Sequence, residues 1–241
     1  DFLVFDREHG PVGPESLHAM IAATRGTGCA PLVRIPSIDE NEVKRALDAG
    51  AEGICFPLAR SVADAERAVA SLRYPPHGTR GWGPFVAHSR WNTGLFEYLS
   101  GPGTKTVCML LIETIGALEN IEDICAVEGV DCMVLAPFDL STELGVPGQL
   151  DHPLMTEANA RIEAAAKKAG MPLGGVAFTE EQAQDLKAKG YRILANFDVL
   201  MLKRATAQVA EWARARACRN SPALKCTATF SGAFWRATLK S

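Results

Sequence analysis

The strongest constraint on the fold of this chain is a regular alternation of short apolar runs with segments of helical period. We interpret the seven apolar runs as strands; they cover residues 2–5, 31–35, 53–57, 107–112, 132–136, 172–177 and 192–196. Within each run, odd and even positions are mostly apolar alike, as in parallel strands that are buried on both faces of the sheet. Segments with helical spacing follow each run, so the order predicts a β/α protein with one parallel sheet.

Seven strand–helix pairs are one fewer than a TIM (β/α)8 barrel contains. The chain begins within an apolar run at Phe2, and we therefore expect that the pair which precedes it is missing from this chain. Its 241 residues match the usual length of a single α/β barrel. The predicted organisation is one barrel domain over residues 1–217 and an irregular tail over 218–241.

Charge and composition exclude several kinds of partner. The net charge is −3 and the isoelectric point is about 6.0, which predicts neither a nucleic-acid-binding surface nor an anionic-membrane-binding one. The sequence shows neither a signal peptide nor an apolar stretch long enough to span a bilayer, so the predicted location is cytoplasmic. The seven cysteines lack zinc or disulfide spacing, and we expect buried free thiols.

Two acidic residues occupy the ends of adjacent apolar runs. Glu113 follows residues 107–112, and Asp139 follows the run that begins at Cys132. Because the carboxyl ends of parallel strands meet at one edge, we expect the two carboxylates to lie close together, where they would repel each other without a cation. Oxygen ligands of this kind suit Mg²⁺ or Mn²⁺. The alternative is that each carboxylate stabilises the start of the following helix.

Three further residues are candidates for chemistry. Arg34 ends an apolar strand and is suited to binding a carboxylate or an oxyanion, although a solvated strand-end arginine is the alternative. His9 follows the first strand; near a metal site an imidazole can transfer protons, and a loop histidine without function is the alternative. Asp48 lies late in a helix, where a carboxylate opposes the helix dipole; taken alone, it is expected to be an exposed surface residue.

A long segment rich in proline and glycine interrupts the alternation at residues 75–84. Its glycines lack the strand and helix context of a phosphate-binding loop. We interpret it as a loop that covers substrate or contacts another subunit.

With these residues placed, the chain resembles the HpcH/HpaI aldolase family of metal-dependent class II pyruvate aldolases from residue 1 to about 215. Six segments carry the resemblance in order: Asp6-Arg7-Glu8-His9, Val33-Arg34-Ile35-Pro36, Arg45-Ala46-Leu47-Asp48-Ala49-Gly50, the loop Pro75 to Gly83, Ile112-Glu113-Thr114, and Pro137-Phe138-Asp139-Leu140-Ser141. Six ordered segments are far more specific than any one of them.

The resemblance implies a barrel of the phosphoenolpyruvate/pyruvate type in which Glu113 and Asp139 hold Mg²⁺, Mn²⁺ or Co²⁺. It implies that Arg34 stabilises the enolate oxygen of a 2-oxo acid and that backbone amides around Phe138 and Asp139 receive the substrate carboxylate. His9 and Asp48 would take part in proton transfer. The implied substrates are pyruvate, oxaloacetate or a 4-hydroxy-2-oxo acid, and the implied assembly is a homo-oligomer, as large as a hexamer.

The chain departs from the family pattern at two positions before Asp139: Ala136 replaces a common glycine, and Phe138 replaces a common small residue. The larger side chain is expected to narrow the pocket for the substrate carboxylate. The missing first strand also keeps a second hypothesis open, in which the chain is a non-catalytic barrel fragment that binds a ligand or a homologous subunit.

Overall fold

A computed structural model describes the backbone of residues 1–220, 227–231 and 234–238, and the side chains of residues 1–212. The chain separates into two compact units, Asp1–Leu194 and Ala195–Ser241. The first unit alternates strands and helices in the predicted manner. In the second unit the structure describes one long helix and two short strands that pair in antiparallel fashion.

All seven predicted strands are present, and they form one sheet in the order β1 to β7. Registers are parallel for the neighbouring pairs from β1 to β6. The strands are β1 Phe2–Asp6, β2 Ala30–Arg34, β3 Gly53–Phe56, β4 Val107–Ile112, β5 Cys132–Leu135, β6 Leu173–Val176 and β7 Ile193–Ala195. Sequential order in a parallel sheet is the arrangement of a TIM-like α/β fold. An additional strand before β1 stays a prediction.

Helices lie between successive strands of this sheet, as parallel pairing requires, and a last helix follows β7. They are α1 Pro14–Ala23, α2 Glu40–Asp48, α3 Val62–Leu72, α4 Ala87–Arg90, α5 Ile115–Glu119, α6 Ile121–Ile124, α7 Pro137–Glu143, α8 Pro153–Ala169, α9 Glu180–Ala188 and α10 Asp198–Asn220. Capping is visible at α2, where the Asp39 side chain accepts hydrogen bonds from the N–H groups of Asn41 and Glu42. Among the helices described, none is both long and apolar enough to cross a membrane.

Two helical predictions differ from the structure. The sequence after the fourth strand predicts one helix over about 115–126, but the structure has two short helices that meet at Asn120, whose side-chain amide donates a 2.8 Å hydrogen bond to the carbonyl of Gly116. Side-chain bonds of this kind compete with the helical ladder. The short helix α7 was not predicted, because seven residues are too few to show the spacing of apolar residues that marks a helix.

Successive side chains of each strand point to opposite faces of the sheet, and this separates two apolar clusters. In β4, Cys108, Leu110 and Ile112 belong to the larger cluster, which includes buried residues of the surrounding helices. Met109 and Leu111 belong to a second cluster, which is formed by strand residues on the inner face of the sheet. Both faces of the sheet are therefore buried, and this explains the nearly continuous apolar runs in the sequence.

The thiols agree with prediction as far as the structure describes them. Cys55, Cys108, Cys125 and Cys132 are free and buried, and Cys29 is free and half-buried. Burial raises the pKa values of the Cys55 and Cys132 thiols, in the latter case to about 12. These side chains therefore behave as small apolar residues rather than as nucleophiles.

The irregular tail predicted over 218–241 lies wholly outside the residues whose side chains are described, and its backbone is described only in part. Helix α10 continues to Asn220, and two short strands, β8 Thr227–Ser231 and β9 Phe234–Thr238, pair with each other. The domain boundary at residue 217 stays a prediction.

Candidate active site

The period of two along each strand directs Arg34 and Glu113 to the inner face of the sheet. Leu32 and Leu111 belong to the inner cluster, and Arg34 and Glu113 lie two positions further along their strands. Asp6 is paired with Arg34 in the register of β1 and β2, so its side chain projects from the same face. Three ionisable groups therefore meet at the carboxyl ends of the strands, which is where α/β barrels place their active sites.

Arg34 is held by two carboxylates. Its Nε donates a 2.8 Å hydrogen bond to Oδ1 of Asp6, and Nη2 donates to the second oxygen of the same carboxylate. Nη1 lies 3.3 Å from Oε2 of Glu8. Burial opposes ionisation of Asp6, but the hydrogen bonds from Arg34 and from backbone N–H groups prevail and lower its pKa. The guanidinium is therefore fixed in one orientation with part of its charge compensated.

Asp6 also organises the loop that carries His9. Its Oδ1 accepts hydrogen bonds from the backbone N–H groups of Glu8 at 3.0 Å and His9 at 3.2 Å. Gly10 completes this turn, since a Cβ at that position would lie 2.3 Å from the carbonyl oxygen of Asp6. The His9 side chain is 65% exposed, with Nε2 3.8 Å from Oε2 of Glu8. An accessible imidazole at the mouth of the site can exchange protons with solvent or substrate.

Glu113 is almost completely buried, at 2% exposure. Its Oε1 accepts a 2.6 Å hydrogen bond from the backbone N–H of Leu58. Burial is the main cause that raises the pKa of its carboxyl; the Leu58 hydrogen bond and Arg34 oppose the shift, and the charges of Asp139 and Glu8 add to it. The resulting pKa is about 7. An isolated carboxylate here is costly, and a cation beside it would remove that cost.

Asp139 lies in the first turn of α7 and is exposed to solvent. Its charge acts on both Glu113 and Glu8, so the three acidic groups share one region. Oε2 of Glu8 is buried and lacks a hydrogen-bond partner, although it is at ion-pair distance from Arg34. Carboxylate oxygens with this unused capacity are the donor set that a hard divalent cation prefers.

Geometry limits how many ligands the protein itself would supply. Within the described residues, no three His, Cys, Asp or Glu side chains converge closely enough to form a metal cage. Mg²⁺ and Mn²⁺ are commonly held by one or two carboxylates with water and substrate oxygens at the other positions. The residues present therefore fit an ion that has Glu113 and Asp139 as its protein ligands.

The structure brings His9, Arg34, Glu113 and Asp139 to one end of the sheet, but it does not bring Asp48 there. Asp48 ends α2, which leads into the start of β3, so it lies at the opposite end of the strands. Its Oδ1 accepts a 3.0 Å hydrogen bond from Arg80. A role for Asp48 in proton transfer stays a prediction that this single chain does not support geometrically.

Sequence reasoning missed three residues that build the site: Asp6, Glu8 and Leu58. Asp6 and Glu8 were noticed only within a resembling segment, although each stands at or just after the end of an apolar strand, as Arg34 and Glu113 do. That shared position was a usable signal. The contribution of Leu58 is a backbone N–H, which side-chain chemistry cannot reveal.

A TIM-like parallel sheet with an arginine and a group of carboxylates at its carboxyl end is the arrangement of an α/β-barrel enzyme. The sequence profile of the HpcH/HpaI aldolase/citrate lyase family matches residues 1–204. The chain belongs to this family, and it is by family a carbon–carbon lyase.

Individual relatives agree with the family assignment. The chain is 36% identical over 195 residues to 2-dehydro-3,6-dideoxy-6-sulfogluconate aldolase of Pseudomonas putida, a match that covers 81% of this chain and 76% of that protein. It is 30% identical to hydroxypyruvate/pyruvate aldolase of Roseovarius nubinhibens, over 88% of this chain and 83% of the relative.

Solved structures agree in fold. A HpcH/HpaI aldolase/citrate lyase family protein from Burkholderia cenocepacia superposes with a TM-score of 0.82 at 33% identity, covering 89% of this chain and 86% of that one. A citrate lyase beta subunit from M. tuberculosis, determined with oxaloacetate and magnesium, shares the fold at a TM-score of 0.54 and 19% identity, over 82% of this chain and 81% of that one.

Proposed function

We propose that the chain is a divalent-metal-dependent lyase that cleaves or forms carbon–carbon bonds of 2-oxo acids through pyruvate enolate. The preferred reaction is aldol cleavage of a 4-hydroxy-2-oxo acid, with decarboxylation of oxaloacetate as a related reaction. One observation carries the proposal: a fixed guanidinium, Arg34, faces the same region as three carboxylates at the carboxyl ends of the strands. Positive charge for an enolate and oxygen ligands for a cation are thus available together.

Arg34 supplies the electrostatic part of the mechanism. When the bond between C3 and C4 breaks, the electron pair moves into pyruvate and places negative charge on the keto oxygen. A guanidinium already oriented by Asp6 stabilises that charge without reorganising during the reaction. The bound cation would supply further stabilisation of the same charge, and Glu113 and Asp139 would hold it.

His9 supplies the proton transfer. Cleavage removes the proton of the 4-hydroxyl group as the aldehyde forms, and C3 of the enolate then takes up a proton to give pyruvate. The exposed imidazole beside Glu8 is placed to exchange protons at the mouth of the site. Backbone amides around Phe138 and Asp139 are proposed to receive the substrate carboxylate, in line with the family resemblance.

The decisive experiment measures pyruvate release in the presence of added Mn²⁺. Glu113→Ala and Asp139→Ala are each expected to lower turnover at least about 100-fold, since each removes one of two protein ligands. Glu66→Ala, at an exposed glutamate of α3, is the matched control for a lost carboxylate. Full turnover in a folded Glu113→Ala variant contradicts the proposal. Size measurement by light scattering tests the proposed homo-oligomer in the same preparations.

A further inference from the structure

Three apolar side chains lie just after strands, at the same end of the sheet as the carboxylates: Leu58 and Phe178 are in loops, and Phe138 is in the first turn of α7. Leu58 follows β3 and Phe138 follows β5, and each is 43% exposed. Phe178 follows β6 and is half-buried, with its ring centroid 6.1 Å from that of Phe138 and the ring planes at 55°. This tilted pair has the geometry of a favourable aromatic contact, so the two rings support each other's position.

These side chains border the proposed ligands of the cation. Leu58 donates its backbone N–H to Glu113, and Phe138 directly precedes Asp139. Strand β4, which carries Glu113, lies between β3 and β5 in the sheet, and β6 follows next. Adjacent strands are about 4.8 Å apart, so the apolar groups flank the site on both sides of Glu113.

Within residues 1–194, the lysine and arginine side chains at this rim are few, and each is already paired with a carboxylate. In this range, the loops that follow the strands contain no lysine. They contain two arginines, Arg7 and Arg60, and a third arginine, Arg34, ends β2. All three of these arginines are paired with carboxylates. The pairs are Arg7 with Glu42, Arg34 with Asp6 and Glu8, and Arg60 with Glu143.

We infer that the Phe138–Phe178 pair forms the subsite for the acceptor aldehyde and selects aldehydes with an apolar, preferably aromatic, substituent over aldehydes that carry a carboxylate. The inference rests on the proposed function. An aromatic substituent gains contact with the two rings, whereas a second carboxylate would lose water without finding a free cation. In the synthetic direction, C3 of pyruvate enolate bonds to the aldehyde carbon, and the aldehyde oxygen takes the π electron pair and then a proton.

The test compares benzaldehyde with glyoxylate as acceptors for pyruvate, with Mn²⁺ present. The wild-type protein is expected to have the higher kcat/KM for benzaldehyde. In Phe178→Ala, the ratio of the two kcat/KM values falls about tenfold, chiefly through a higher KM for benzaldehyde, as expected for a lost aromatic contact. Phe138→Ala shifts the ratio in the same direction.

Phe85→Ala is the matched control, because Phe85 is an exposed phenylalanine in the loop between α3 and β4. It leaves the ratio within about twofold of wild type, since it removes no contact near the strand ends. Where an alanine variant does not fold, Phe178→Leu and Phe138→Leu keep apolar volume but remove the ring, and the same fall is expected.

Failure of this inference is separable from failure of the proposed function. A wild-type protein that neither releases pyruvate nor forms aldol products overturns the function itself. A protein that turns over but prefers glyoxylate, or whose ratio changes by less than about threefold in the folded Phe178 and Phe138 variants, overturns only the acceptor subsite.

Discussion

The backbone N–H of Leu58 donates a 2.6 Å hydrogen bond to Oε1 of Glu113, and Leu58 itself has a φ of 57°. A non-glycine residue in the left-handed region carries backbone strain, and such residues concentrate at functional sites. The strained turn after β3 therefore presents an amide to a buried carboxylate that has few other ways to be stabilised.

Leu58→Gly tests the strain directly. Glycine adopts a positive φ without a steric cost but loses more entropy on folding, so the free energy of unfolding is expected to stay within about 0.5 kcal/mol of wild type. Leu58→Val, which is β-branched, is expected to lower it by about 1–2 kcal/mol. Urea denaturation measures both, and equal effects of the two variants would contradict the role of backbone strain.

Glu113 makes the stability of the metal-free protein depend on pH. Its carboxyl has a pKa of about 7 in the folded protein, well above its ordinary value, so near pH 6 the folded state holds a proton that the unfolded state has lost. Stability therefore falls as pH rises from about 5 to 7, by roughly 2–3 kcal/mol.

The control for this prediction is Glu113→Gln, which cannot ionise. Urea denaturation in the presence of a chelator, repeated between pH 5 and pH 8, should show the decline in wild type and a flatter curve in the variant. Parallel curves would show that other groups cause the decline. Added Mn²⁺ is expected to restore stability at the upper end of the range, because the cation favours the ionised carboxylate.

Arg34→Lys is predicted to lower kcat/KM about 100-fold or more, although it keeps the positive charge. Lysine cannot reproduce the two-pronged contact that Arg34 makes with Asp6, so its ammonium group is not held in a fixed position. Steady-state pyruvate release measures the loss. Arg67→Lys, at an exposed arginine of α3, is the matched control, and a similar loss there would indicate a general defect.

The ion pair of Arg80 with Asp48 is predicted to be structural in this chain. Arg80 is 2% exposed, and its guanidinium lies 4.6 Å from the centroid of the Tyr74 ring. Removing one partner leaves a charge in a poorly solvated place, so Arg80→Met is expected to cost about 3 kcal/mol of unfolding free energy. Adding Asp48→Asn should recover part of that loss.

A double-mutant cycle in urea measures this coupling. Additive losses from Arg80→Met and Asp48→Asn would show that the two side chains stabilise the fold independently, contrary to the prediction. Activity measured in the folded Asp48→Asn variant tests separately whether this residue also takes part in proton transfer.

Most of the secondary structure was predictable because it depends on local patterns. Apolar runs of four to six residues identified all seven strands, and the strand-end rule pointed to Arg34 and Glu113, which the structure places in one region. Helix α7 and the break at Asn120 were not predictable in this way. Each depends on a turn or on a single side-chain hydrogen bond, and neither leaves a visible change in the spacing of apolar residues along the sequence.

The sequence by itself determined the alternation of strands and helices, the side-chain parity that directs Arg34 and Glu113 to the inner face of the sheet, and the family. Only the tertiary structure decided which groups meet. It joined Asp6 and Glu8 to Arg34, and Leu58 to Glu113, and it separated Asp48 from His9 by placing them at opposite ends of the strands. The physical reason is that periodicity fixes the direction of a side chain relative to its own strand or helix, whereas its partners depend on the register and packing of elements that are distant in sequence.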